Sequence, residues 1–249
     1  MQNLIAELMR LYLPAGAVTA EALEQHILGP SSEFDLVDAD GQVRAIVIPF
    51  RKEPGSEDQH WTSLCTVANA IQSELAFPAP AVSVSGGDGY RLWLSLETPV
   101  PAAQAQEFVH LLCQAFVPGV EMAAEALDAP IELPPCLSKR TGKWAAFIHP
   151  GMGASFAEDA GLEMSPALGG QVAFLEGLLS IGADQFARGL ATLGQRMGVA
   201  PEVTLAQPQR AVDIDGLLLK DATLEDIVRH LHSKNIEPTF RHVLPPSRH

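Results

Sequence analysis

The sequence predicts an α+β fold in which helices cover a mixed or mostly antiparallel sheet. Two apolar segments, at 33–50 and 82–96, each indicate a pair of strands, and an amphipathic stretch with helical spacing follows each of them. This order of strand, strand and helix, repeated once, is typical of α+β proteins. Of the 249 residues, 47% are hydrophobic, which is enough for a substantial core.

The predicted helices share apolar residues at helical spacing on one face. They cover residues 2–13, 19–28, 56–75, 101–116, 170–179, 183–197 and 223–233. Thr19 suits the N-cap of the second helix, and Pro101 suits the first turn of the fourth. The apolar stripe of the third helix is predicted to consist of Trp61, Leu64, Cys65, Ala68 and Ile71.

The predicted strands are short apolar runs bounded by turn residues. They lie near 33–38 and 43–50, on both sides of a glycine turn within 82–96, and within 138–149, with a loop or short strand at 131–133. Residues 38–41 are predicted to form a turn. Three aspartates in and just before this turn could in principle bind a metal ion, but a role in the turn is preferred, because aspartate favours local hydrogen bonds in turns. These residues are Asp35, Asp38 and Asp40.

Two domains are predicted. Residues 1–165 would form the α+β domain, and residues 166–249 would form a helical C-terminal subdomain with a basic tail. A hinge is predicted at 151–166, between the two.

The most informative segment is Ser-Gly-Gly-Asp-Gly at positions 85–89. Glycine allows the backbone to turn tightly or to approach a ligand closely. On the strand that follows, Arg91 is expected to share a face with Gly89 and Trp93. A cation beside a glycine turn suits contact with phosphate, although many such turns serve geometry alone.

The pattern Ser-Gly-Gly-x-Gly-Tyr-x-Leu-Trp at 85–93, followed by Glu-Thr-Pro-Val-Pro-Ala at 97–102, resembles the second motif of the archaeo-eukaryotic primase superfamily. The resemblance extends over residues 1–180 and is closest to the primase-polymerase domains of bacterial repair ligases, plasmids and conflict systems. It implies a primase-polymerase-like sheet and a nucleotide or nucleic-acid ligand.

The catalytic positions that this resemblance implies are altered. A family histidine that contacts the incoming nucleotide corresponds to Arg91, and a metal-binding Asp-x-Asp pair corresponds to the strand end at Pro49 and Phe50. A further metal-binding aspartate corresponds to His149. Nucleotidyl transfer needs divalent ions held by carboxylates, so we expect no turnover and no cofactor; Mg or Mn would be needed only if activity survives.

The leading hypothesis is therefore a catalytically degenerate protein that binds a nucleotide or a nucleic-acid end through glycines and cations. The candidate binding residues are Ser85, Gly86, Gly87, Gly89, Arg91, Lys139, Arg140 and Lys143. One alternative is a protein-interaction module descended from a primase. Another is an active metal-dependent nucleotidyltransferase whose relocated ligands are Asp213 and Asp215.

Composition restricts these hypotheses. The chain has 30 acidic residues against 16 Lys and Arg, a net charge of −14, which argues against a general nucleic-acid binder. The widely spaced Cys65, Cys113 and Cys136 predict free thiols rather than disulfides or a zinc site. No apolar run approaches the length of a membrane span, and the N-terminus is unlike a secretory signal, so we expect a cytoplasmic protein without membrane contact.

Overall fold

The computed structural model describes residues 1–52, 59–118 and 129–198. All of them belong to one unit, Met1–Pro201. Its elements in chain order are α1 (Gln2–Tyr12), α2 (Ala20–Leu28), β1 (Gln42–Arg51), α3 (Gln59–Ser73), β2 (Ala81–Val84), β3 (Gly89–Pro101), α4 (Ala102–Phe116), β4 (Cys136–Leu137), β5 (Trp144–Ile148), a 3₁₀ helix (Pro150–Phe156), α5 (Leu168–Glu176) and α6 (Ala183–Arg196).

The five strands form one sheet in the order β1-β3-β2-β5-β4, and each neighbouring pair is antiparallel. One row of residues crosses four of these strands. In it, Pro49 of β1 lies opposite Arg91 of β3, and Arg91 lies opposite Ser83 of β2. Ser83 in turn lies opposite Phe147 of β5. The sheet therefore brings sequence-distant segments next to the Arg91 position.

Both faces of the sheet are covered, because side chains alternate between the faces along each strand. On one face α3, α4 and α6 pack over a core that includes Leu92 and Phe108. On the other face α1, α2 and α5 surround Trp93, whose ring centroid lies 5.1 Å from that of Tyr12 and 5.6 Å from that of Phe147. This arrangement of helices and antiparallel strands is consistent with the predicted α+β class.

Two local predictions are confirmed by hydrogen bonds. The Thr19 hydroxyl accepts from the N–H of Ala22 at 3.2 Å, which caps α2. The Asp38 carboxylate accepts from the N–H groups of Asp40 and Gln42 at 2.9 and 2.8 Å, so this aspartate builds the turn before β1. Short polar side chains thus fix both the start of α2 and the turn before β1.

The predicted strand at 33–38 is wrong, and the predicted stripe of α3 is confirmed in part. Residues 33–38 contribute only two isolated bridges, because Phe34 pairs with Ile131 while Val37 pairs with Val43. In α3 the predicted Leu64 and Ile71 are buried, whereas Trp61, Cys65 and Ala68 are only half-buried. The buried face also includes Val67 and Ala70, which the stripe left out. The reason is that α3 packs against both β3 and α4, which turns a partly different face inward.

The side chain of Gln171 fixes α5 to the sheet. Its amide oxygen accepts from the Phe147 N–H and its amide nitrogen donates to the Phe147 carbonyl, both at 2.9 Å. β4 has only two residues and pairs only with Trp144 and Ala145 of β5. Beyond them, the Gln171 side chain makes the hydrogen bonds to Phe147 that a longer neighbouring strand would make.

Several predictions lie outside the described residues. These are the start of the third predicted helix at 56, the helix at 223–233 and the basic tail. The division into domains at 165 and 166 stays a prediction. Within the described ranges, no helix combines the length and the apolar character needed to cross a bilayer.

Candidate functional site

The glycine turn at 85–89 joins β2 to β3, as predicted. Gly86 and Gly89 have φ angles of +80° and +150°, a region that side chains disfavour. A Cβ atom on Gly89 would lie 2.1 Å from the carbonyl oxygen of Phe50. Gly89 is therefore required by the close approach of β1.

The N–H groups of this turn are bonded within the protein. Gly86 and Gly87 donate to the Ala160 carbonyl at 2.9 and 3.1 Å. Asp88 and Gly89 donate to the Ser85 hydroxyl, both at 3.0 Å. A phosphate held by these backbone groups would have to displace the Ala160 carbonyl or Ser85.

The basic turn at 138–143 packs directly against the glycine turn. The Thr141 hydroxyl donates to the Gly86 carbonyl, and a Cβ atom on Gly87 would lie 2.6 Å from the Thr141 methyl carbon. Two segments that the sequence predicted as parts of one site, separated by some fifty residues of chain, thus meet in space. Segment 158–163 closes over both, since the Trp144 N–H donates to the Leu162 carbonyl at 2.8 Å.

The cations of the basic turn are paired with carboxylates. Arg140 lies 3.3 Å from the Asp88 carboxylate, and both side chains are largely exposed. Lys143 contacts Asp159 and lies 3.1 Å from Glu163. Hydrogen bonds from the Lys143 ammonium to these two carboxylates raise the pKa of Lys143.

Arg91 is half-buried at the edge of the covered sheet face and shares this face with Gly89 and Trp93, as predicted. Its Nη1 donates to the Glu132 carbonyl at 3.3 Å. Burial lowers the pKa of Arg91, and the negative charges of Asp88 and Glu132 act in the opposite direction. The guanidinium remains charged, since arginine does not lose its proton in proteins.

The charges of both cations, Arg91 and Arg140, act on Asp88, although of the two only Arg140 forms an ion pair with it. Burial raises the pKa of this carboxyl, but the hydrogen bond from Ser85 and the charges of Arg140 and Arg91 lower it more, so the pKa lies below its usual range. Asp88 is thus an ionised group between Arg140 and Arg91.

The positions that correspond to family metal ligands do not fit two divalent ions. Pro49 lies opposite Arg91 and has no ligand atom in its side chain, and Phe50 is buried on the opposite face against α3. His149 follows β5 and accepts from the Gly151 N–H at 3.1 Å, which caps the 3₁₀ helix. Among the described residues, no three His, Cys, Asp or Glu side chains are placed to hold a metal ion. Asp213 and Asp215 lie outside those residues.

Sequence reasoning missed the acidic partners of this site. Asp88 stands inside the glycine motif and carries no signal of its own beyond its turn preference. Asp159, Glu163 and the Glu132 carbonyl come from segments with no motif, and only the tertiary packing places them here.

No family profile matches the chain, and no curated protein matches it. A solved structure, the AEP domain of the primase-polymerase of cyanophage S-2L, matches 64% of this chain and 77% of that chain, with a TM-score of 0.34 and 16% identity. This similarity is below the level that assigns a family.

Proposed function

We propose that the chain is a primase-polymerase-like domain that no longer transfers nucleotides and that binds the phosphates of a nucleotide or of a short nucleic-acid end. The proposed ligand site consists of Arg91 and Arg140 together with two exposed cations, Arg51, which lies opposite Gly89 across the sheet, and Lys139, which precedes Arg140 in the basic turn. The motif at 85–93 supports the primase-like origin.

One observation carries the binding proposal: Arg140 lies 3.3 Å from the Asp88 carboxylate, and the nearby charge of Arg91 stabilises the ionised form of the same group. A carboxylate and a phosphate oxygen are recognised by guanidinium groups in the same way. Asp88 therefore stands in for an anionic ligand. Because its ion pair with Arg140 is exposed, the pair contributes little, about 0–1 kcal/mol, and a phosphate can replace it at small cost.

The same geometry supports the loss of transfer chemistry. Phosphoryl transfer needs metal ions to neutralise the triphosphate. The residue opposite Arg91 is Pro49, and the neighbouring Phe50 points into the core. A cation site that holds no metal ion would bind the phosphates directly and leave the phosphoanhydride bonds of the triphosphate intact.

A titration with a fluorescent nucleoside triphosphate at low salt tests the proposal. The wild type should bind, and added salt should weaken the binding. Arg91→Gln should weaken affinity at least about tenfold, since it removes a charged hydrogen-bond donor. Asp88→Asn should tighten binding, because it removes the competing charge.

The matched control is Arg188→Gln, which removes an exposed arginine on α6. This variant should bind like the wild type. An absence of wild-type binding at low salt, or equal losses in Arg91→Gln and Arg188→Gln, would contradict the proposal.

A protein-interaction module is the second candidate. The observation that favours it is that the turn N–H groups and the Lys143 ammonium are already bonded within the protein. A stoichiometric protein partner recovered from the native host, together with no triphosphate binding, would support this function over the first.

A further inference from the structure

A cavity with charged and apolar lining residues lies farther along β3, beyond its pairing with β2. β2 pairs with β3 only as far as Ala81 and Trp93. Past that point, Ile181 takes the neighbouring position: its N–H donates to the Ser95 carbonyl at 2.8 Å and its carbonyl accepts from the Glu97 N–H at 2.9 Å. The segment before α6 thus becomes part of the wall of a cavity at the sheet.

This cavity has a volume of about 460 Å³ and is lined by residues from α1, β1, β3 and α6 and from the loops before β2 and α6. The lining residues are Arg10, Arg44, Pro78, Glu97, Leu179, Ser180 and Gln185. Arg44 enters from a register shift in β1, between Val43 and Ala45.

Arg44 is the unsatisfied group of the cavity. Its Nε atom is shielded from solvent and has no hydrogen-bond partner among the described residues. Within the same part of the chain, the Arg44 guanidinium makes no ion pair. Because Nε itself is shielded, a ligand in the cavity would accept from the other guanidinium nitrogens of the half-buried Arg44, whose charge no carboxylate pairs with in this part of the chain.

Three other polar residues of the cavity, Arg10, Ser180 and Gln185, already have partners. Arg10 pairs with Glu7 and donates to the Leu175 carbonyl at 3.2 Å. The Ser180 hydroxyl lies 2.7 Å from that of Ser95, and the Gln185 side chain accepts from Gly182 at 3.0 Å. Among the described residues, Arg44 and Glu97 are the charged groups of the cavity without an ion-pair partner, and Arg44 is the one of the two that attracts an anion.

The rim of the cavity is apolar. Leu179 is 72% exposed, although it is a large hydrophobic residue. A narrow neighbouring cavity of about 10 Å³ shares Pro78 and Leu179 with the first.

We propose that this cavity binds a small organic anion, with its carboxylate or phosphate group on Arg44 and a short apolar substituent against Pro78 and Leu179. Glu97 in the wall disfavours ligands with several negative charges. The site does not depend on the function proposed above, because Arg91 and Glu97 lie six residues apart on β3, roughly 20 Å at about 3.3 Å per residue.

Calorimetric titration of the full chain with butyrate, acetate and inorganic phosphate tests this site. Butyrate should saturate the wild type, and each methylene that it buries beyond acetate should tighten binding about fourfold. Phosphate binding tighter than acetate would identify phosphate esters as the ligand class, and weaker binding would identify carboxylates.

Arg44→Gln should weaken butyrate binding about tenfold or more. Arg44→Lys keeps the charge without the planar donor fork and should weaken it by less. Arg188→Gln and Arg91→Gln should leave butyrate binding unchanged, which separates this site from the phosphate site.

Three results would overturn the proposal: no saturable binding of any probe, equal affinity in the wild type and Arg44→Gln, or butyrate no tighter than acetate. If Arg44→Gln lowers the thermal midpoint, the comparison uses Arg44→Lys, and equal butyrate affinity in that folded variant and the wild type would contradict the role of the guanidinium fork.

Discussion

The phosphate contact proposed for Arg91 depends on the groups around its side chain. The motif around it predicts a phosphate contact, and the structure adds a carbonyl acceptor from Glu132 and an ionised Asp88 between Arg91 and Arg140. A free arginine would bind many anions, but one held on an inner strand and bonded to the Glu132 carbonyl presents a fixed donor direction. The proposed selectivity for phosphate depends on this fixation.

Gly89 provides a test of the turn at the scale of one residue. Gly89→Ala should destabilise the fold by about 2 kcal/mol or more, because alanine disfavours a φ of +150° and its Cβ would meet the Phe50 carbonyl. Denaturant unfolding measures the change.

Gly169→Ala is the matched control for this substitution. Gly169 lies in α5 and a Cβ there meets no atom within 4 Å, so alanine should be neutral or stabilise by about 0.5–1 kcal/mol. Similar losses of stability in both variants would contradict the role given to Gly89.

At this scale, local chemistry is predictable from sequence and remote partners are not. The Thr19 cap and the Asp38 turn depend on residues a few positions away, and both are confirmed. The pairing of Lys143 with Asp159 and Glu163 depends on how segment 158–163 packs. No spacing rule in the sequence encodes that packing.

The same distinction between local and remote interactions holds for the helices and strands. Periodicity alone predicts α1, α2, α4 and α6 close to their observed bounds. The strand predicted at 33–38 fails because two different partners, Ile131 and Val43, compete for its short length. The docking of α5 through Gln171 leaves no trace in hydrophobic patterning, because the interaction is polar and buried.

His26 joins α2 to the segment that precedes β4. Its Nδ1 accepts from the Ser32 N–H at 2.8 Å, so the neutral ring donates from Nε2 to the Leu133 carbonyl at 2.7 Å. The adjacent Glu132 carbonyl accepts from Arg91. One buried imidazole therefore supports the segment that positions the proposed ligand site.

Acid should weaken this connection. Burial lowers the pKa of His26 below its usual value of 6.5, so the unfolded chain takes up a proton before the folded chain does. Below pH 6.5 the contribution of His26 to the unfolding free energy falls, by up to about 1.4 kcal/mol per pH unit.

Urea unfolding of the wild type and His26→Gln between about pH 8 and about pH 5 measures this contribution. The free-energy difference between the two proteins should shrink as the pH falls. A difference that stays constant or grows would contradict the burial effect, since carboxylates titrate alike in both proteins.

For the whole molecule, the net charge and the helices that cover the sheet restrict the kind of ligand that can bind. A net charge of −14 repels long polyanions, and helices cover both faces of the sheet in the described ranges. The cations near the glycine turn lie at an end of the sheet, where the terminal phosphates of a nucleotide can reach them. A long duplex along the sheet does not fit this charge distribution.

The central claim is that phosphate binding persists without metal-dependent transfer. Titration of a labelled triphosphate in chelator and in Mg²⁺ or Mn²⁺, with primer extension assayed on the same samples, tests it most directly. We predict that the protein binds in chelator at least as tightly as with metal, and that it extends no primer. Binding that requires a metal ion, or extension that Asp213→Asn abolishes, would contradict the account.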